Sequence, residues 1–164
     1  MEDKEKTLEG KKILIVDDEP DVLETLEDLL PMCRLVKARS FEEGKNELET
    51  QNFDMAILDI MGVNGYKLLE IAKKRGVIPV MLTAHALSIE DTVKSFKSGA
   101  ASFVPKDEIA RIASFLVDIL EAKKKGKNLW DRWLDRMDTY YNKKFGSTWK
   151  EGDKDFWDKF TYYT

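Results

Sequence analysis

From Lys11 onward, short apolar runs alternate with stretches of helical period. KKILIVDD (residues 11–18) reads as a buried strand with two acids at its end. Pro20 then opens a helix that places Val22, Leu23, Leu26, Leu29 and Leu30 on one face, and Pro31 closes it. A weaker strand follows in RLVKAR, then a helix from about Ser40, with Glu43 at capping-box spacing. FDMAILDI is apolar through its second half, as a strand buried on both faces would be. GYKLLEIAKK predicts a short helix and VIPVMLTA another buried strand. SIEDTVKSFKSG predicts a helix capped from Ser88 towards Asp91 and ended by Gly99. SFVPK is the last strand, and a closing helix over residues 107–123 buries Ile109, Ile112, Leu116, Ile119 and Leu120. Strand and helix thus alternate five times, which predicts an α/β fold: an open parallel sheet with helices on both faces.

The flanks differ. Residues 1–10 are charged, with no apolar centre, and read as a polar, frayed leader that is neither signal peptide nor anchor. Residues 11–123 form the α/β domain and residues 124–164 an aromatic-rich helical tail. All four tryptophans lie in that tail. There Leu129, Trp130, Trp133, Leu134, Met137, Tyr140 and Tyr141 make one broad helical stripe that stops at Gly146, with a second short helix over DKDFWDKFTYY.

Composition narrows the classes. A charged fraction of 35% beside 43% hydrophobic residues suits a globular protein. The net charge of -4 and the interleaving of acids with bases in the tail argue against a nucleic-acid partner. No run reaches the length of a membrane span. A single cysteine, Cys33, leaves no intramolecular disulfide and no cysteine metal cluster, which points to the cytoplasm.

In open parallel sheets, sites form beyond the carboxyl ends of the strands. Asp17 and Asp18 follow the first strand, Asp59 ends the third, Thr83 the fourth and Lys106 the fifth, so every candidate falls on one edge. A close carboxylate pair costs about 4 kcal/mol at an effective dielectric near ~20, so such a cluster calls for a hard cation. Oxygen ligands with open positions suit Mg²⁺, which welcomes a phosphate oxygen. Asp59, central in the sheet, is the candidate nucleophile. Thr83 can donate its hydroxyl to one phosphoryl oxygen, and Lys106 can present positive charge to another. Singly each residue has a plainer reading: DDEP as a helix-start cluster, Asp59 as a turn residue, Thr83 as a β-former, Lys106 as a surface lysine. Their joint placement is harder to obtain that way.

Residues 11–123 resemble a response-regulator receiver domain of two-component signalling, of the chemotaxis-type single-receiver architecture. The matching pieces are ILIVDDEP, AILDIMGVNG, VMLTA and GAASFVPK. The resemblance implies a flavodoxin-like, doubly wound sheet of five parallel strands in the order 2-1-3-4-5. It implies a phosphoacceptor signalling domain rather than an enzyme, self-catalysing its own phosphoryl transfer and slow dephosphorylation. The implied partners are a sensor histidine kinase or phosphotransfer protein, and an unnamed downstream protein. Asp17 and Asp18 correspond to the metal-binding acids, Asp59 to the phosphoacceptor and the Met61 main-chain carbonyl to a further metal ligand. Thr83 and Phe103 correspond to the coupled switch pair, and Lys106 to the phosphate-contacting lysine. His85 falls at a rim position that influences how long the phosphoryl group lasts; an exposed histidine without a role is the alternative.

Two departures stand out. Pro105 precedes Lys106 where the family often has proline after the lysine, so a trans Lys106–Asp107 bond is expected. Gly62 replaces a common proline and is expected to loosen the loop after Asp59. For the tail three readings stand: packing back on the receiver, forming a homodimer interface, or docking a partner protein. The leading function is a receiver that signals through protein contacts. The alternatives are a receiver controlling an output or oligomerisation module in its tail and, more distantly, a metal-dependent phosphohydrolase.

Overall fold

The structure, a computed structural model, describes residues 6–83 and 89–163. Five parallel strands form one sheet: β1 (Lys12–Val16), β2 (Arg34–Ala38), β3 (Met55–Asp59), β4 (Ile78–Thr83) and β5 (Ser102–Pro105), in the order β2-β1-β3-β4-β5. Helices α1 (Pro20–Leu29), α2 (Phe41–Thr50), α3 (Gly65–Lys74), α4 (Ile89–Lys97) and α5 (Ile112–Lys124) flank and follow the strands. This is the flavodoxin-like order, and it puts β1, β3 and β4 in the interior of the sheet. Their residues are almost wholly buried, as near-continuous apolar strands require.

Local chemistry sets the boundaries. Pro20 occupies the first turn of α1. The Ser40 hydroxyl accepts the Glu43 N–H at 3.2 Å, and the Glu43 carboxylate reaches back to the Arg39 N–H at 2.8 Å, one residue earlier than the usual capping box. Gly99 follows α4 with φ +94°, a conformation glycine adopts without strain. Ser88, the expected cap of α4, lies outside the described residues.

Three expectations are revised. Leu8 is fully buried and its carbonyl accepts the Lys11 N–H, so residues 6–10 are tied down rather than frayed. The closing helix does not start at Asp107: Lys106–Arg111 is a 3-10 turn with Glu108 off helical geometry, and α5 begins at Ile112. That turn buries no residue, so nothing anchors an α-helix before Ile112. Phe115 and Val117 are buried as well as the expected Ile112, Leu116 and Ile119, whereas Ile109 and Leu120 are partly exposed.

The chain divides into two compact units between Val117 and Asp118, inside α5. In the second unit α6 (Trp133–Phe145) is followed by a 3-10 turn, Trp149–Asp153, and α7 (Lys154–Tyr163). The helix expected along the stripe from Leu129 starts late because the Asn128 side chain captures the Trp130 N–H at 2.8 Å, a local turn that competes with helix. Asp153 does the converse for α7, accepting the Phe156 N–H at 3.3 Å. Trp130, Trp133, Trp149, Trp157, Tyr141 and Phe160 are buried. Their rings meet at 4.7 Å for Trp149–Trp157, 4.9 Å for Tyr141–Trp149 and 5.0 Å for Trp130–Trp133. The Trp149 Nε1–H donates to Asn142 Oδ1 at 3.0 Å, and Arg136 makes a two-pronged ion pair with Asp118. Trp130, Trp133, Met137 and Tyr141 of the aromatic stripe therefore lie in the core of this unit, while Leu129, Leu134 and Tyr140 are half-buried.

Candidate functional site

Parallel pairing brings the strand ends to one edge. Val16 is in register with Leu58, Asp59 with Leu82, and Thr83 with Pro105. Asp17, Asp59, Thr83 and Lys106 therefore emerge side by side. Asp17, Asp59 and Thr83 are buried, while Asp18 is exposed. Phe103, in register with Met81 on the edge strand β5, is fully buried.

Two glycines let the loop after β3 close over this edge. A Cβ on Gly65, the first residue of α3, would overlap the Asp59 carbonyl oxygen and lie 2.9 Å from its carbonyl carbon. The helix start is thereby seated directly on the strand end, and Asn64 takes a left-handed φ of 55° to turn the chain into it. Gly62 is crowded rather than loose. A Cβ there would overlap Asp18 Oδ1 and sit 2.6 Å from Asp59 Oδ2. Its N–H donates to Asp59 Oδ2 at 3.3 Å, a donor that proline would lack.

Charge at the site is concentrated and only partly balanced. Lys106 Nζ lies 2.8 Å from Asp17 Oδ2, 3.1 Å from Glu19 Oε1 and 3.7 Å from Asp59 Oδ1. Burial raises the Asp59 carboxyl to about 6; the Asp17 and Asp18 charges push the same way, against Lys106 and the Gly62 N–H. Asp17 is likewise raised by burial, opposed by Lys106 and by the Glu19 N–H. For Lys106 burial alone would lower the pKa, but the carboxylates of Asp17, Asp59 and Glu19 outweigh it and raise it.

The donor set fits a hard cation. Asp17, Asp18 and Glu19 present carboxylate oxygens within 4.8 Å of one another. Asp17 Oδ2 is buried and has no aligned hydrogen-bond donor, although Lys106 approaches it closely. All-oxygen donors beside an unsaturated buried carboxylate are what Mg²⁺ accepts.

The structure thus brings together Asp17, Asp18, Asp59, Thr83 and Lys106, with Met61 two residues beyond Asp59. The Met61 side chain is 74% exposed, the one large hydrophobic so placed among the described residues. His85 lies outside the described residues. The Lys106–Asp107 bond is trans, as expected. Sequence reasoning missed Glu19, which looks like part of a helix start; its carboxylate at a poor capping position was the available signal.

Comparison with known proteins agrees with this geometry. The profile of the response regulator receiver domain matches residues 13–116. A two-component response regulator of Arabidopsis thaliana is 33% identical over 103 residues, 59% of this chain and 16% of that protein. The CheY-like receiver domain protein of Methanospirillum hungatei superposes with a TM-score of 0.59 at 28% identity, over 70% of this chain and 98% of the other. The BeF3-activated DrrB receiver domain of Thermotoga maritima gives 0.55 at 26% identity, over 65% and 97%. The chain spans under half the length of the curated relatives it matches. On the match of residues 13–116, on strand order and on the edge that gathers its acids, this chain belongs to the response regulator receiver domain family.

Proposed function

We propose that the chain is a response regulator that accepts a phosphoryl group on Asp59 from a histidine kinase or phosphotransfer protein and signals through protein contacts. The observation that carries this reading is Asp59 itself: a buried carboxylate raised to about 6, ringed by two acids and one lysine at the mouth of the sheet. An Asp59 carboxylate oxygen attacks phosphorus, an O–P bond forms, and the N–P bond of a phosphohistidine breaks with its electron pair leaving on the imidazole. Asp17 and Asp18, with Asp59 and the Met61 carbonyl, are the residues to hold Mg²⁺, which when bound offsets the negative charge gathering there. Lys106 exchanges carboxylate for phosphoryl oxygen, and the Thr83 hydroxyl donates to another. Thr83 and Phe103 form the switch pair, biasing a two-state equilibrium. The DrrB domain solved in a BeF3-activated form supports reading a relative of this site as activatable.

The test is labelling with acetyl phosphate and Mg²⁺. Wild type is expected to gain one phosphoryl group by mass and Asp59→Asn none; an unlabelled wild type defeats the reading. Turnover of phosphoesters without a labelled Asp59 would favour the phosphohydrolase alternative. His85→Ala is expected to change the acyl-phosphate lifetime.

A second reading has its own support. The tail is a separate compact unit with an aromatic core, as a built-in output module would be. Every tryptophan lies there, so tryptophan fluorescence, excited selectively, reports on that unit. A fluorescence change on phosphorylation, absent in Asp59→Asn, is the expected result; an unchanged spectrum on fully labelled protein counts against a tail output.

A further inference from the structure

Glu19 occupies the N-cap position of α1, yet its side chain makes no capping hydrogen bond. Good caps have short side chains that reach the first amides, and glutamate is not among them. Its carboxylate instead runs to Lys106, 87 residues away in sequence, and accepts from Nζ at 3.1 Å. The backbone fixes it there: the Glu19 N–H donates to Asp17 Oδ1 at 2.9 Å, and Pro20 follows at once with its restricted φ.

Lys106 therefore has three carboxylate neighbours, and the reactive one is the farthest. The distances are 2.8 Å to Asp17, 3.1 Å to Glu19 and 3.7 Å to Asp59. Exposure separates them further. The Glu19 side chain is 54% exposed, against 2% for Asp17 and 6% for Asp59. Taking the ammonium from a buried carboxylate strands a charge away from water, whereas water rehydrates Glu19 immediately. Of the three contacts, Glu19 is the one that exchanges easily.

We propose that Glu19 is a positioning residue for phosphoryl transfer: a resting counter-ion that holds Lys106 off Asp59 and releases it to the arriving phosphoryl oxygen. This rests on the phosphoacceptor reading of Asp59. With acetyl phosphate as donor, an Asp59 oxygen bonds to phosphorus as the P–O bond to acetate breaks, acetate taking the electron pair. Lys106 changes partner and keeps its protons throughout. Because the Glu19–Lys106 contact exists only before transfer, it stabilises the unphosphorylated form and slows the reaction.

The experiment times labelling of the full chain by acetyl phosphate over a Mg²⁺ series, which yields a saturating rate and a half-saturating Mg²⁺ concentration. Glu19→Gln is expected to raise the saturating rate about 2–5-fold, the size of an exposed ion pair, and to leave the Mg²⁺ requirement unchanged. In a Lys106→Gln background the same change is expected to add nothing. Asp21→Asn, which removes an exposed acid from the first turn of the same helix, controls for net charge and is expected to match wild type. An unchanged rate in Glu19→Gln overturns the proposal, as does an equal gain in Asp21→Asn or in the Lys106→Gln background. A higher Mg²⁺ requirement also overturns it and makes Glu19 a metal ligand instead. Should Lys106→Gln label too slowly to time, the Asp21→Asn and Mg²⁺ arms decide. An unlabelled wild type, by contrast, removes the reading of Asp59 itself.

Discussion

The unit up to Val117 and the unit from Asp118 are stabilised by different means. In the first, aliphatic strands pair through the backbone, and the core residues Ile13, Leu14, Ile15, Met55, Ile57, Val80 and Leu82 are interchangeable in kind. In the second, rings meet edge to face, as Tyr141 does with Trp149 and Trp149 with Trp157. Aliphatic cores tolerate volume-conserving exchanges, whereas a small ring cluster depends on each large member. Trp157→Ala is therefore expected to cost about 3–5 kcal/mol, seen as early loss of fluorescence from the remaining tryptophans in urea. Labelling of Asp59 is expected to survive. Parallel loss of both signals would break the comparison, since the two units would then unfold as one.

Glycine substitutions sharpen it next. Alanine at Gly65 drives a methyl into backbone, the Asp59 carbonyl, which cannot swing aside. A loss of about 3 kcal/mol is expected, at the upper end for overpacking, together with slower labelling as the strand end shifts. In the tail, a Cβ on Gly152 meets nothing within 4 Å. Gly152→Ala is expected to be neutral or to stabilise by about 0.5 kcal/mol through the unfolded chain. Urea midpoints of the two variants measure both.

These contrasts explain which parts could be read from the residues. Strands such as ILIV and MAIL announce themselves because parallel sheets bury both faces, and Asp17, Asp59 and Thr83 inherit their positions from strand ends. Periodicity says nothing of which strands are neighbours; the order of strands came from the motif resemblance. The turn over Lys106–Arg111 was illegible because its departure from helix reflects missing burial, a tertiary property. The late start of α6 depends on one Asn128 hydrogen bond competing with a helical pattern that otherwise looked continuous. Glu19 was missed for a related reason, since its partner Lys106 lies on the far side of the chain in sequence.

A further effect concerns the conflict between stability and chemistry in the receiver unit. Asp59 is pushed up to about 6 from the ordinary 3.8 of an aspartate, by burial first and by the Asp17 charge second. The folded state therefore holds the Asp59 proton more tightly than the unfolded chain does. Below the unfolded value the group is protonated in both states and no penalty applies. As pH rises from there through about 6 the folded form loses stability, and above that the loss is complete. The full shift corresponds to roughly 3 kcal/mol, and relaxation with water entry reduces what is measured. In metal-free buffer at neutral pH, Asp59→Asn is expected to stabilise the receiver by about 1–2 kcal/mol, because the amide carries no buried charge. The gain should shrink as pH falls below about 6 and narrow again when Mg²⁺ is added. Denaturant midpoints for the two proteins across that range decide the matter. A gain independent of pH would trace the effect to packing, and no gain would mean that Lys106 already compensates the Asp59 charge in full.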